Sequence, residues 1–169
     1  YKWAGELYQR NQVKTFWFGT RRFYELNYDL PKKKISFFKK ALEITPSDYY
    51  INRELAEYYF DKKKFKEALN YYLNIIEIDP GHWNYYNLGV TYIELKNFAP
   101  AIEALNKAKQ LDPTNAKYNY KLGEAFYLIE DYEMSIYEIA EALKKDPQGA
   151  NENSTIGYDY NYLLGRAYS

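Results

Sequence analysis

Few side chains in this 169-residue chain could do covalent or metal chemistry. The one histidine, His82, precedes Trp83 at the start of a predicted helix, where a lone histidine is usually an exposed polar residue. Because the chain has no cysteine and no second histidine, His82 lacks the usual partners for binding a metal ion. Nothing in the sequence resembles a glycine-rich phosphate loop. We therefore predict no metal site and no cofactor.

Serine and the carboxylates are the remaining candidates for catalysis. Ser135 occupies a position at which a repeated pattern requires a small side chain, so packing explains it. Glu57 and Glu124 could in principle act as a general acid or base. On helices of this kind, such carboxylates are more often surface charges or contacts to a bound peptide. We therefore predict that these residues carry no enzymatic activity.

The charge balance limits the kinds of partner. The chain has 23 basic and 23 acidic residues, and a net charge of zero argues against a nucleic-acid or anionic-membrane surface. No apolar run approaches the ~20 residues that span a bilayer, and no secretory-type apolar segment opens the chain. Since the chain begins with Tyr1, a leader or an upstream domain could precede it. The compartment stays open: we expect a soluble protein, cytoplasmic or, in a bacterium, periplasmic or envelope-associated.

Residues 82–113 are predicted to form two short helices folded back on each other. Apolar residues recur at spacings of three and four, which is one face of a helix of 3.6 residues per turn. Asn97 is a candidate N-cap for the second helix, and Pro113 ends it. The first face comprises Tyr85, Leu88, Gly89, Tyr92 and Leu95, and the second comprises Phe98, Ala101, Ile102, Leu105, Ala108 and Leu111.

Copies of this hairpin recur along the chain at a fixed period. Pro46, Pro80, Pro113 and Pro147 lie 34, 33 and 34 residues apart. The recurring columns are Leu55-Ala56, Leu88-Gly89, Leu122-Gly123 and Leu164-Gly165; Tyr59, Tyr92, Phe126 and Tyr168; Ala68, Ala101 and Ser135; Tyr72, Leu105 and Ile139; and Ile75, Ala108 and Ala142. A mid-helix glycine costs about 1 kcal/mol relative to alanine, so we expect the partner helix to approach Gly89 closely.

These columns closely resemble the tetratricopeptide repeat (TPR) family, whose pattern is an aromatic, Leu-Gly, an aromatic, a small residue, a bulky residue, alanine and a closing proline. The resemblance implies an all-α fold, a right-handed α-solenoid of antiparallel helix pairs. One departure is the aromatic of the first helix, which is replaced by Asn52, Asn119 and Asn161. The neighbouring Tyr118 and Tyr160 could fill that gap.

Aligning the repeats gives the expected domain organisation. An unfinished last repeat would leave an apolar face bare, which suggests a longer protein or a covering neighbour. Lysine runs at 32–34 and 62–64 occupy equivalent turns and are either solvated helix starts or a small basic ridge along one edge. The predicted units are residues 1–14, a capping helix or the remnant of an upstream repeat; 15–48, a degenerate repeat; 49–81, 82–115 and 116–149, three repeats; 150–157, an inserted polar loop; and 158–169, the first helix of a further repeat.

The resemblance also implies a concave wall lined by the first helices, one turn away from the packed Leu-Gly face. Tyrosine and tryptophan are residues that anchor protein interfaces. The predicted partner-binding residues are Tyr50, Arg53, Glu57, Phe60, Trp83, Tyr86, Val90, Ile93, Lys117, Tyr120, Glu124, Tyr127, Tyr162 and Arg166.

The partner expected from this wall is a segment of another protein. Some family members grip a peptide's C-terminal carboxylate with a lysine and an asparagine on successive first helices, and that pairing is missing here. An amphipathic helix or an extended apolar segment fits the aromatic wall better. The leading hypothesis is therefore a scaffold or assembly factor. The alternatives are self-association through residues 1–14 or the last helix, and a regulatory or recruiting arm of an enzyme whose catalytic domain lies outside this chain.

Overall fold

The computed structural model describes residues 30–147 and Gly165. The expectations for residues 1–29, for the loop at 150–157, and for Tyr160, Asn161, Tyr162 and Arg166 lie outside the described residues. Within 30–147 every regular element is a helix, as predicted. The helices are α1 (Leu30–Ile44), α2 (Tyr49–Asp61), α3 (Phe65–Ile78), α4 (His82–Glu94), α5 (Phe98–Leu111), α6 (Ala116–Leu128) and α7 (Tyr132–Lys145).

Short polar side chains begin several of these helices. The Asp48 carboxylate accepts a hydrogen bond from the backbone N–H of Ile51 at 3.1 Å, and Asp131 accepts one from Met134 at 3.2 Å. Each bond satisfies one of the amides that a helix N-terminus leaves without an intrahelical partner. Asn97 precedes α5, but its side chain makes no capping bond. The residue occupies the predicted N-cap position without the predicted contact.

The helices pair as three hairpins, α2 with α3, α4 with α5 and α6 with α7, and neighbouring hairpins pack side by side. Helix α1 packs against α2. The columns expected to pack inside the second helices are all buried, and none of their members is more than 5% exposed. These residues are Ala68, Ala101, Ser135, Tyr72, Leu105, Ile139, Ile75, Ala108 and Ala142.

The two mid-helix glycines mark the closest approach between paired helices. A Cβ added at Gly89 would lie 2.6 Å from Cγ of Leu105, and one at Gly123 would lie 2.6 Å from Cγ1 of Ile139. Both neighbours are fully buried and have no room to withdraw. The predicted reason for glycine, a partner helix that a side chain would block, is confirmed at Gly89.

The asparagines that replace the expected aromatic make polar contacts in the interior. Asn52 is fully buried, and its Nδ2 donates to the carbonyls of Pro46 at 2.8 Å and Asp48 at 2.9 Å, which fixes the connection between α1 and α2. The suggestion that Tyr118 fills the gap at Asn119 is wrong. Tyr118 is fully buried against the preceding hairpin, with its ring centroid 5.5 Å from that of Tyr86.

A buried carboxylate joins the second hairpin to the third. Glu138 is 3% exposed. Its Oε1 accepts from Nζ of Lys109 on α5 at 2.6 Å, and its Oε2 accepts from Nδ2 of Asn119 on α6 at 2.6 Å. Nζ of Lys145 donates in turn to Oδ1 of Asn119 at 2.5 Å. Both oxygens of the buried charge therefore have partners, and three helices share the network.

We predict that Gly89→Ala destabilises the chain. Overpacking a filled site costs about 1–3 kcal/mol, which exceeds the gain in helix propensity of about 1 kcal/mol. The midpoint of urea unfolding, followed by circular dichroism, should fall. Gly81→Ala is the matched control, because its nearest neighbour, at 3.3 Å, is the flexible carboxylate of Asp79. A raised midpoint for Gly89→Ala would show that propensity alone governs this position.

Lys109→Met should destabilise the chain far more than Lys107→Met, two positions earlier on the same helix. Removing Lys109 leaves the buried Glu138 charge with only an amide partner, and breaking a buried pair costs about 3–5 kcal/mol. Lys107 pairs with Glu103 at 3.5 Å on the surface, and such a pair contributes about 0–1 kcal/mol. Equal shifts in the urea midpoint would contradict a structural role for the buried network.

Candidate functional site

The first helices α2, α4 and α6 supply the described part of the predicted wall, and α4 contacts α6 directly. Among the aromatic residues of the predicted wall, Tyr50 and Trp83 are the exposed ones, at 42% and 44%. Glu57 and Lys117 are exposed as well. The partly buried members of the set are Arg53, Phe60, Tyr86, Val90, Glu124 and Tyr127.

Two residues of the predicted wall are buried, and their assignment to an open surface needs correction. Ile93 is 8% exposed because Leu122 and Ala125 of the next first helix pack over it. Tyr120 is 7% exposed and packs with Ile139 of α7. Both lie where the wall meets the hydrophobic interior, so their side chains contribute packing and little accessible surface.

Around Trp83 the structure gathers a cluster of rings that spacing within one repeat does not reveal. The Trp83 ring lies 5.3 Å from Tyr86 and 6.1 Å from Tyr118, both in edge-to-face geometry. Nδ1 of His82 lies 2.6 Å from Oη of Tyr118, within hydrogen-bonding distance. His82 is therefore half-buried and bonded, not the exposed residue expected. We call His82, Trp83, Tyr86 and Tyr118 the ring cluster. Within it, Tyr86 and Tyr118 pack against the Trp83 ring.

Tyr118 is the residue of this cluster that sequence reasoning assigned elsewhere. Its equivalents in the preceding repeats are Asn84 and Ile51, so it is not part of the recurring pattern. Asn84 instead donates to the backbone carbonyl of Asp79 at 2.9 Å and accepts from the hydroxyl of Tyr49 at 3.2 Å. Tyr118 is an aromatic residue at a repeat position where the other repeats have Asn84 and Ile51, and Asn84 directly follows Trp83. That irregularity in the alignment could have identified Tyr118.

The cations of the wall are engaged within the wall. Nε of Arg53 lies 3.8 Å from Oε1 of Glu57, and the guanidinium lies 5.7 Å from the Tyr50 ring centroid. Nζ of Lys121 donates to Oε2 of Glu124 at 2.6 Å. Lys117 places its ammonium 5.4 Å from the Trp83 ring centroid. Each positive charge thus has a carboxylate or an aromatic face beside it.

The phenols of the ring cluster are weaker acids than an exposed tyrosine. Burial raises the pKa of Tyr86, and Lys121 opposes this rise only in part. Burial also raises the pKa of Tyr118. Both hydroxyls therefore stay protonated at neutral pH and can act as hydrogen-bond donors. Among residues 30–147, no three acidic or histidine side chains are grouped so that they could hold a metal ion.

No described helix is both long and apolar enough to cross a membrane.

Comparison with known proteins identifies a family. The family described as "Regulator of microtubule dynamics protein 1-3" matches residues 49–133. Human peptidyl-prolyl cis-trans isomerase FKBP4 is 28% identical over 143 residues, which cover 73% of this chain and 31% of FKBP4. BBSome complex member BBS4 from Bos taurus is 26% identical over 133 residues, covering 78% of this chain and 25% of BBS4. The chain spans about a third or less of the length of these relatives.

Solved structures share the fold at low identity. MamA residues 41 to the end, from Desulfovibrio magneticus RS-1, has a TM-score of 0.71 at 18% identity and covers 96% of this chain and 82% of its own. YrrB, described as a TPR protein with an unusual peptide-binding site, has a TM-score of 0.69 at 20% identity, covering 85% and 72%. The first TPR of Spaghetti (RPAP3), bound to the HSP90 peptide SRMEEVD, has a TM-score of 0.62 at 22% identity, covering 72% and 94%.

These likenesses establish the fold as the α-solenoid that the repeat pattern predicts. The match over residues 49–133 includes the first two complete hairpins and the first helix of the third. The chain is thus a tetratricopeptide repeat protein and belongs to the family of regulator of microtubule dynamics proteins 1-3.

Proposed function

We propose that this chain is a non-enzymatic interaction scaffold that holds an apolar, helical or extended segment of a partner protein against its first helices. The observation that carries the proposal is the ring cluster. Trp83 keeps 44% of its surface open while its ring rests on Tyr86 and on the fully buried Tyr118. An exposed tryptophan on a rigid aromatic base is the kind of residue that dominates binding energy at protein interfaces.

Rigidity of the ring cluster favours binding. The contact between His82 and Tyr118 fixes the base of the cluster, and the Lys117 ammonium lies over the Trp83 ring. A side chain that is already held in place loses little conformational freedom when a partner docks, so more of the contact energy remains as affinity.

The charges of the wall favour an apolar segment over an acidic tail. Lys121 already donates to Glu124, so an incoming carboxylate would have to displace that local partner, and Glu57 lies 3.8 Å from Nε of Arg53 and would repel an incoming anion. The positions that would hold a lysine and asparagine clamp carry Arg53/Glu57, Tyr86/Val90 and Tyr120/Glu124. The peptide-bound RPAP3 domain and YrrB support the idea that this fold holds peptides, while the residues here suit a different peptide chemistry.

A scaffold role agrees with the family's description, which directs the search for a partner to proteins that act on microtubule dynamics. The similarity to FKBP4 favours one alternative, a recruiting arm of a larger enzyme. FKBP4 is described as an isomerase, and the match covers 31% of it. In that case the wall would still bind a protein segment, and any catalysis would lie outside these residues. The alternative of self-association through the terminal segments concerns residues beyond those described.

Trp83→Ala should weaken binding of peptides selected on the wild-type chain from a random phage-displayed library by about thirtyfold or more, since a hot-spot truncation costs about 2 kcal/mol or more. Fluorescence polarisation with the selected peptides measures the affinity. Leu111→Ala is the control, because Leu111 is an exposed apolar side chain, 54% open, on the second helix α5. Affinity lost equally in both variants, or in neither, would contradict a site on the first helices.

The affinity of the selected peptides should also change little with salt. Between about 0.1 M and about 1 M ionic strength the Debye length falls from about 10 Å to about 3 Å, which weakens contacts between exposed charges. Because the wall's cations already have partners, we expect less than about a threefold change over this range. A steep loss of affinity with salt, together with acidic residues enriched in the selected peptides, would show that the wall binds anionic segments.

A further inference from the structure

The three hairpin turns follow one edge of the solenoid and are nearly identical in backbone conformation. Each contains one non-glycine residue in the left-handed region, Lys63 at φ 56°, Lys96 at φ 59° and Glu130 at φ 64°. Since the hairpins pack side by side, these turns lie next to one another along the stack. We call residues 61–67, 94–100 and 128–134 the turn edge.

Charge changes sign along the turn edge although the backbone does not change. In residues 61–67, four lysines and two carboxylates leave a net charge of +2. Residues 94–100 carry one of each sign, Glu94 and Lys96, and are neutral. Residues 128–134 carry three carboxylates and no cation, a net charge of −3. The turn edge is therefore basic at one end and acidic at the other.

The charges at both ends have no ion-pair partner among residues 30–147. The lysines of the basic end are exposed, and so are Glu130 and Glu133 of the acidic end. Lysines elsewhere do find carboxylates, as Lys34 does with Glu54 at 2.5 Å and Lys121 with Glu124 at 2.6 Å. The lysines of the basic end are Lys62, Lys63, Lys64 and Lys66.

The acidic end of the turn edge also exposes apolar side chains that a lysine stem can cover. At the basic end, the residues in the equivalent repeat positions are mostly polar or charged. Lysine packs its methylene stem on apolar surface while its ammonium reaches a nearby anion. A contiguous exposed apolar patch rimmed by charge marks an interaction site. The exposed residues at or beside the acidic end are Leu128 at 45%, Ile129 at 43%, Tyr132 at 42%, Met134 at 37% and Tyr137 at 57%.

We propose that two copies of this chain associate through their turn edges, side by side and antiparallel. That arrangement places the basic end of each copy against the acidic end of the other. The neutral middle turns of the two copies then face each other. A two-fold axis makes both contacts at once, so the interface is self-complementary and closes as a dimer. A second copy is favoured over an unrelated acidic partner because the matching anionic and apolar surface is already present on the same edge.

Charge reversal tests the pairing. Lys62→Glu/Lys64→Glu/Lys66→Glu makes both ends acidic, and Glu130→Lys/Glu133→Lys makes both ends basic. Neither change disturbs the Asp131 cap, and lysine already occupies the left-handed position in the other two turns. Sedimentation equilibrium of the 169-residue chain should show a salt-sensitive wild-type dimer. Each variant alone should weaken dimerisation by about a hundredfold or more, since facing like charges cost several kcal/mol.

Mixing the two variants should restore a dimer that contains one copy of each. A variant that failed to dimerise because its fold was destabilised would not be rescued by mixing. Lys40→Glu/Lys107→Glu/Lys144→Glu is the control. It makes the same change in net charge at exposed lysines of α1, α5 and α7 and should leave the dimer intact. Trp83→Ala should leave it intact as well, which separates this proposal from peptide binding at the ring cluster.

Three results would overturn the proposal. The first is a wild-type chain that stays monomeric at low salt across the concentration series. The second is a mixture of the reversed variants that fails to associate. The third is a monomer whose basic end binds a polyglutamate peptide, since that would make the turn edge a site for an acidic partner protein.

Discussion

The contact between Gly89 and Leu105, repeated between Gly123 and Ile139, sets the geometry on which the rest of the array depends. Without a Cβ at the glycine, two helices approach closely enough for Leu105 and Ile139 to be fully buried. Helix spacing within a hairpin then determines where the next hairpin can stack, and so where the outward-facing side chains lie. Small residues in one column thus position aromatic residues in another.

The periodic part of this structure could be predicted because every hairpin must solve the same packing problem with the same residue types. Leu55 and Leu122 share one column of the first helices, Leu105 and Ile139 share one column of the second, and all four are fully buried. Contacts between hairpins are different. Ile93 is covered by residues of the next first helix, and Tyr118 packs on the preceding one. The outward positions of a single repeat contain no information on which of them a neighbour will cover.

The hydrogen bonds of polar residues in the interior cannot be predicted from a hydrophobic pattern. Asn52 and Asn119 occupy a column where relatives of this fold carry an aromatic ring, yet each is almost completely buried. Their amides bond to groups specific to this chain, the carbonyls before α2 in one case and the Glu138 carboxylate in the other. Both oxygens of the buried carboxylate are satisfied because α5, α6 and α7 bring Lys109 and Asn119 to it, so the network links the second hairpin to the third.

The wall and the turn edge differ in how their charges are satisfied, and this difference bears on what each surface can bind. Arg53, Lys117 and Lys121 have ring or carboxylate partners within the wall, so its open area acts as an aromatic surface. The lysines of residues 61–67, and Glu130 and Glu133 of residues 128–134, are exposed and have no ion-pair partner among residues 30–147. Selection for solubility alone would not remove every cation from residues 128–134 while four lysines stand in residues 61–67, since interspersed charges keep a surface soluble equally well. This order of charges is the reason for proposing a second copy as the partner, because a copy turned end to end presents the complementary order of charges along the same edge.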